Sequence, residues 1–111
     1  MDMKEILKSG IEQALQDTIN SGDLPAGEYP EIVLEVPPQK EFGDFSTNIA
    51  MQSARVARQN PRAIAEALIS HMNFDWLERA EVAGAGFINF FLKSDMVYDT
   101  LKAILNAGTE Y

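Results

Sequence analysis

The sequence has no cysteine and only one histidine, His71. Without cysteine, disulfide bonds and thiolate metal sites are excluded. A single histidine also excludes a histidine metal cluster within the chain. The position of His71, late on an amphipathic helix, indicates a helix end rather than a general base. We therefore expect no metal site, and neither a Ser/His/Asp nor a Cys/His catalytic arrangement.

Long apolar runs are also absent. No run approaches the roughly 20 residues that a membrane-spanning helix needs. Residues 1–5 show no basic region followed by an apolar stretch, so they do not form a secretory signal. These absences lead us to expect a cytoplasmic protein without a membrane partner.

Basic residues are scarce: nine lysines and arginines stand against 17 acidic residues, which gives a net charge of −8. A nucleic-acid-binding protein that acts alone is usually basic, because phosphate contacts carry most of its affinity. The charge therefore counts against such a role for this chain by itself. It leaves room for a module that reads one exposed base while a partner domain supplies the phosphate contacts.

Signals for catalysis or cofactor binding are equally scarce. The acidic residues are scattered, and none lies in an apolar run where burial would raise the pKa of its carboxyl. Gly84-Ala85-Gly86 is only a fragment of a dinucleotide-binding fingerprint, and it precedes a strand where that fingerprint requires a helix. We expect this chain by itself to be non-catalytic and to hold no cofactor.

The length of 111 residues and the apolar fraction of 46% indicate a single domain with one core, over residues 1–111. Apolar periodicity, capping residues and glycine or proline breaks predict the element order α-β-α-α-β-β-α. Helices are expected to begin near Asp2, Ser46 or Thr47, Pro61, and Ser94 or Asp95; strands are expected over residues 32–36, 79–83 and 84–92. This order predicts an α+β fold, with a small antiparallel β-sheet covered by about four α-helices.

The strand after Gly84 and Gly86 has an unusual pattern. Side chains alternate between the two faces of a strand, so Ile88, Phe90 and Leu92 suit a core, while Phe87, Asn89 and Phe91 share the other face. An aromatic ring offers a stacking plane and an amide offers a donor beside an acceptor, which together suit an unstacked nucleobase. On alternation alone, the interpretation that both faces are buried and Asn89 bonds to backbone is favoured.

Two further segments carry a candidate role. Arg55, Arg58 and Arg62 form the one local basic cluster, which fits either phosphate contact or, the favoured interpretation, a solvated face that balances acidic neighbours. In the loop over residues 41–46, we expect Asp44 or Ser46 to cap the second helix and Phe42 to pack as a hydrophobic staple. The same loop could also line a binding surface.

Two motifs resemble those of arginyl-tRNA synthetases. Phe42–Asn48 resembles the F-G-D-[FY]-x-x-N loop found early in that family, and Glu81–Leu92 is similar to its x-G-x-G-F-[IV]-N-F-x-L strand. The order of the motifs and their separation by two helices with Pro61 between them also fit. The resemblance extends over essentially the whole chain.

The resemblance implies the N-terminal additional domain of that family, which contacts the D-loop at the tRNA elbow. Carried over by motif position, Phe87 and Asn89 would recognise a D-loop base. Some members use a polar side chain at the position of Gly84, which is glycine here. Phe91 would extend the apolar side of the site. Arg55, Arg58 and Phe45 are secondary candidates for contact with sugar and phosphate.

The chain also departs from the family. It lacks the His-Ile-Gly-His-type and Lys-Met-Ser-Lys-Ser-type signatures, and with them the ATP site, the arginine pocket and the anticodon-binding helices. The resemblance therefore implies a fragment that positions tRNA-Arg for a parent ligase that uses ATP, with the catalytic domain of the same full-length chain as its other partner. We expect an excised domain rather than a free-standing relative. The alternative is a non-catalytic interaction module that docks a protein or domain on the Phe87/Asn89/Phe91 face.

Overall fold

The computed structural model describes residues 2–93. In chain order it contains α1 (Met3–Asn20), β1 (Leu34–Glu35), a 3-10 turn (Lys40–Phe42), β2 (Phe45–Thr47), α2 (Ile49–Ala57), α3 (Pro61–Ser70), β3 (Leu77–Ala83) and β4 (Phe87–Leu92). The α+β class with an antiparallel sheet is confirmed. Three α-helices lie in the described part of the chain. The fourth predicted helix, beginning at Ser94 or Asp95, lies outside it.

Two helices begin where their capping residues predict. At the start of α1, the Asp2 carboxylate accepts a 2.9 Å hydrogen bond from the Glu5 N–H. At the start of α3, the Asn60 side chain accepts a 2.8 Å bond from the Arg62 N–H, and Pro61 occupies the first turn. Each side chain satisfies a backbone donor that the helix itself leaves unpaired. These signals are local, which is why sequence alone finds them.

The predicted start of the second helix was wrong. Residues 45–47 form β2, and α2 begins only at Ile49. Neither Asp44 nor Ser46 caps it; instead the Thr47 hydroxyl accepts a 3.2 Å bond from the Ile49 N–H. Phe42 is 46% exposed and is not a buried staple. Pairing with a distant strand has overridden a local capping signal, as tertiary context often does.

Within the described residues the sheet has four antiparallel strands in the order β1-β2-β4-β3. The strand predicted over residues 32–36 shortens to β1, because its partner β2 has only three residues and pairs with Leu34 and Glu35. The strand predicted over residues 79–83 is longer and includes Leu77. The last predicted strand begins at Phe87, because residues 84–86 turn the chain from β3 into β4.

The core lies between one face of the sheet and the helices. Ile88 and Phe90 of β4 are fully buried, and they form one cluster with buried side chains of the helices: Leu7, Ile11, Ile49, Ala50, Ile64, Ala65 and Leu68. Helices α2 and α3 contact β4, and α1 packs on α3. Because side chains alternate along a strand, the opposite face of β4 points away from these three helices. This face, which none of the described helices covers, carries Phe87, Asn89 and Phe91 and is called the open face below.

Candidate nucleic-acid interface

The two sequence motifs lie side by side in the sheet. β2 is antiparallel to β4, with Phe45 opposite Phe90 and Ser46 opposite Asn89. The Asp44 N–H donates to the Phe90 carbonyl at 2.8 Å, and the Asp44 carboxylate accepts from the Leu92 N–H, also at 2.8 Å. Asp44 is therefore a clamp on β4 rather than a helix cap.

Gly43 allows this close approach. Its φ of 102° lies in the region that favours glycine, and a Cβ there would lie 2.6 Å from the Phe90 carbonyl oxygen. Any side chain would push the loop off β4 and lengthen both Asp44 hydrogen bonds. The Phe-Gly-Asp loop thus sets the position of the strand that carries the candidate site.

Phe87 and Asn89 are adjacent on the open face, and their environments differ. Phe87 is 39% exposed, whereas Asn89 is only 9% exposed. The Asn89 amide makes no hydrogen bond to any other residue within 2–93, so the predicted alternative of a bond to backbone is not observed. Over the same residues, only the Ser53 hydroxyl is both fully buried and unpartnered, so the Asn89 polar atoms still contact solvent. An almost buried amide without a protein partner keeps only part of its hydration, and a ligand with a matching edge would supply the hydrogen bonds that it lacks.

The ring of Phe91 is already covered. The Arg79 guanidinium carbon lies 3.8 Å from the ring centroid, a cation–π arrangement. Arg79 also donates to Glu78 at 3.1 Å and to Glu81 at 3.3 Å. Phe91 therefore supports a charged network on the open face, and one of its ring faces is not free for a base.

The turn that leads into Phe87 is held by the start of α3. A Cβ on Gly86, where φ is 148°, would lie 2.6 Å from the Pro61 Cβ. Arg62 donates from Nη1 to the Gly84 carbonyl. A Cβ on Gly84 would lie 3.9 Å from the Phe87 ring. The position of Gly84 is thus next to the exposed aromatic, although glycine offers no side-chain contact there.

Three arginines of α2 and α3 have no acidic partner in the described residues. Arg55 lies one helical turn after Met51, and Met51 lies against Gly86. Arg58 is the C-terminal cap of α2 and has a left-handed backbone conformation. Arg62 bonds only to backbone. By contrast, Lys8 and Arg79 are paired with glutamates. All three side chains are exposed, which fits the solvated face favoured from the sequence, and the absence of a close acidic partner in the described residues also leaves them available for the alternative, contact with phosphate.

Phe45 lies apart from this group. Directly opposite residues of paired strands share a face, so Phe45 is on the helix-covered face with Phe90, half-buried against the core. Its neighbour Ser46 is on the open face beside Asn89. Sequence reasoning chose the aromatic of the loop and missed the serine, because the register between β2 and β4 cannot be inferred from either motif alone.

A Ser/His/Asp group does occur, contrary to expectation. The Ser21 hydroxyl and the Asp23 carboxylate lie 3.2 and 3.1 Å from the same atom, His71 Nε2. A catalytic relay uses both ring nitrogens, one for the nucleophile and one for the carboxylate. This group instead joins the loop after α1 to the end of α3. The hydrogen bond from His71 and then that from Ser21 lower the pKa of Asp23 below its ordinary value.

Residues 2–93 contain neither a membrane-spanning helix nor a cluster of metal ligands. No helix in this part is long and apolar enough to cross a membrane. No cluster of three or more carboxylate or imidazole side chains there could hold a metal ion.

Comparison with known proteins gives a consistent result. The family model described as the arginyl tRNA synthetase N terminal domain matches residues 5–92. The chain is 48% identical to an arginine–tRNA ligase of Geobacillus thermodenitrificans and 42% identical to one of Acetivibrio thermocellus, each over 111 residues. Both matches cover 98% of this chain and 19% of the relative, so the chain spans about a fifth of the curated relatives' length.

Solved structures show the same fold. The crystal structure of arginyl-tRNA synthetase from Plasmodium falciparum matches with a TM-score of 0.76 at 20% identity, over 92% of this chain and 18% of that one. The Thermus thermophilus arginyl-tRNA synthetase matches with a TM-score of 0.64 at 23% identity, over 86% of this chain and 15% of the other. At these identities the likeness concerns architecture.

Proposed function

Because this chain belongs to the arginyl-tRNA synthetase N-terminal domain family, we propose that it binds the D-loop of tRNA-Arg at the tRNA elbow. Phe87 stacks on, or packs against, one D-loop base, and Asn89 hydrogen-bonds to the edge of that base. The parent enzyme attaches arginine to tRNA-Arg using ATP. This domain contributes by positioning the tRNA against the catalytic domain of the same full-length chain.

The unpartnered amide of Asn89 beside the exposed ring of Phe87 is the observation that supports this proposal most directly. A stacked base would cover the ring, and its edge would supply the hydrogen bonds that the amide lacks within residues 2–93. Such a bidentate contact favours a base that presents a donor beside an acceptor by about 1–3 kcal/mol over one that does not.

Arg55, Arg58 and Arg62, which have no acidic partner in the described residues, supply the electrostatic part of the binding free energy by contact with tRNA phosphates. Arg62 touches the turn before Phe87, and Arg55 lies on the helix face that contacts this turn. With about three phosphate contacts, the logarithm of the binding constant would fall with the logarithm of salt concentration with a slope of about −2. The net charge of −8 opposes binding elsewhere on the surface. Weak binding that depends steeply on salt is therefore expected of the chain alone.

The test is a titration of the isotope-labelled chain with a tRNA-Arg transcript at low salt. Backbone amide chemical shifts are recorded at each step to locate the binding site. We expect the largest shifts at Phe87 and Asn89, and their disappearance as salt is raised. Asn89→Ala should weaken binding about tenfold, whereas the matched control Asn73→Ala, an exposed amide outside the open face, should not. If the affinity for the transcript changes neither with salt concentration nor with Asn89→Ala, the proposal is contradicted and a protein-docking face is favoured.

The same substitutions in the full-length synthetase provide a second test. Phe87→Ala and Asn89→Ala should lower kcat/KM for tRNA-Arg about tenfold each. The kinetic parameters for arginine and ATP should be unaffected. Unchanged aminoacylation kinetics in both variants would show that these residues do not read the tRNA.

A further inference from the structure

The register of the sheet places one row of polar side chains across the open face. Asn89 lies opposite Ser46 on one side and Glu81 on the other, and Glu35 of β1 follows Ser46. Directly opposite residues in antiparallel strands have Cβ atoms about 4.5–5.5 Å apart. Ser46 and Glu81 therefore flank the free amide closely enough to touch the same small ligand.

The polar groups beside Asn89 differ in what they can recognise. An amide can turn over and present either its donor or its acceptor to a given ligand atom, and a hydroxyl both donates and accepts. A carboxylate only accepts. Ser46 and Asn89 can therefore pair with either a keto or an amino edge of a base. Only Glu81 imposes a requirement for a hydrogen-bond donor.

The Glu81 carboxylate is also held in place. One of its oxygens accepts from Arg79 Nε at 3.3 Å, and Arg79 is seated on the Phe91 ring at 3.8 Å. The other oxygen makes no hydrogen bond to any described residue. Fixing the side chain beforehand reduces the entropy lost when a ligand binds.

We propose that Glu81 is a specificity residue of the base site, which selects a base bearing an exocyclic amine and disfavours one with a keto group at the same place. This inference rests on the proposed function, because it requires a base on Asn89. A base with an exocyclic amine has two N–H donors at this place. One N–H donates to the Asn89 side-chain oxygen, and the other donates to the Glu81 carboxylate. With a keto base, the carboxylate meets a carbonyl oxygen instead, and the two acceptors repel each other.

Cytosine and uracil provide a direct test, because their rings have the same size and differ in the amino and keto groups. The 111-residue chain is titrated at low salt with octamers of cytidylate or uridylate, which carry equal charge. Binding is followed by the Asn89 side-chain amide signals. We expect the wild-type chain to prefer the cytidylate octamer about tenfold, the discrimination of one good hydrogen-bonded contact.

Glu81→Gln keeps the size of the side chain but adds a donor, so the preference should fall to threefold or less. Glu78→Gln is the matched control: it removes the same charge and another partner of the same Arg79, but it is outside the row. It should keep the tenfold preference. A preference that survives Glu81→Gln, or that Glu78→Gln abolishes equally, overturns the role of Glu81.

The two proposals fail in different ways. If neither octamer nor the tRNA-Arg transcript shifts the Asn89 or Phe87 signals, there is no base site and the proposed function itself is contradicted. If the transcript alone shifts them, the proposed function stands and the selectivity assigned to Glu81 for a single base is wrong. If both octamers shift these signals with equal affinity in the wild-type chain, the base site stands and the selectivity assigned to Glu81 is wrong.

Discussion

The two faces of β4 are built from alternate residues of the same six-residue strand, and they differ in how their groups are satisfied. On the covered face, Ile88 and Phe90 have no exposed area and pack in the main hydrophobic cluster. On the open face, Phe87 is 39% exposed and the Asn89 amide has no partner in the described residues. The covered face stabilises the domain. Under the proposed function, the open face gives up some stability to present groups that a ligand can satisfy.

The largest expected effect is on the covered face. Phe90→Ala should lower the free energy of unfolding by about 3–5 kcal/mol, because it removes a fully buried ring and leaves a cavity. Phe87→Ala should lower it by about 1 kcal/mol or less, since much of that ring is already in water. Urea denaturation followed by circular dichroism measures both. Equal losses would show that the two faces are equally important for folding.

The next effect concerns the loop that fixes β4. Asp44→Ala removes the acceptor of the Leu92 N–H and should cost about 2 kcal/mol, the range for a hydrogen bond to a charged group. Asp75→Ala, at an exposed position without a hydrogen bond among the described residues, should change stability by no more than about 0.5 kcal/mol. If the two variants are equally stable, the clamp does not hold the strand.

Asn89→Leu separates stability from binding. Replacing a nearly buried, unpartnered amide with an apolar side chain of similar size should raise the free energy of unfolding by up to about 1 kcal/mol. The same change should weaken binding of a tRNA-Arg transcript at least tenfold. Thermal unfolding and the titration described above give the two values. If Asn89→Leu is less stable than the wild-type chain and still binds the transcript fully, then Asn89 stabilises the fold and does not take part in binding.

The smallest effect is expected far from both faces, at Asp23. Its pKa is lowered chiefly by the hydrogen bond from His71, so its contribution to stability is present above the ordinary value of 3.8 and is lost as pH falls through the lowered value. Asp23→Asn should therefore be slightly less stable than wild type above about pH 4, with the difference shrinking at lower pH. Binding to RNA should be unchanged, and a loss of binding would link this site to the interface.

Sequence reasoning succeeded where the determining interactions are close in the chain. Asp2 and Asn60 cap their helices as predicted, because each side chain bonds to a backbone N–H two or three residues later. The alternation along β4 correctly separated Ile88, Phe90 and Leu92 from the open face, since side-chain direction follows from strand geometry alone.

The errors share one physical origin. Asp44 looked like a helix cap, yet it bonds to Leu92, 48 residues away. His71 looked isolated, yet it meets Ser21 and Asp23 across a similar distance in the chain. Local patterns cannot show which of several possible partners a polar group will find, because the choice depends on how distant segments pack.

The sequence by itself determined which family the motifs resemble, the α+β class and the alternation that sets Phe87 and Asn89 apart from the core. Only the tertiary structure decided that β2 lies beside β4, that Ser46 and Glu81 flank Asn89, and that Arg62 holds the turn before Phe87. The physical reason is that a strand's periodicity defines its two faces, whereas its neighbours and their register are fixed by long-range pairing and by the core on the covered side.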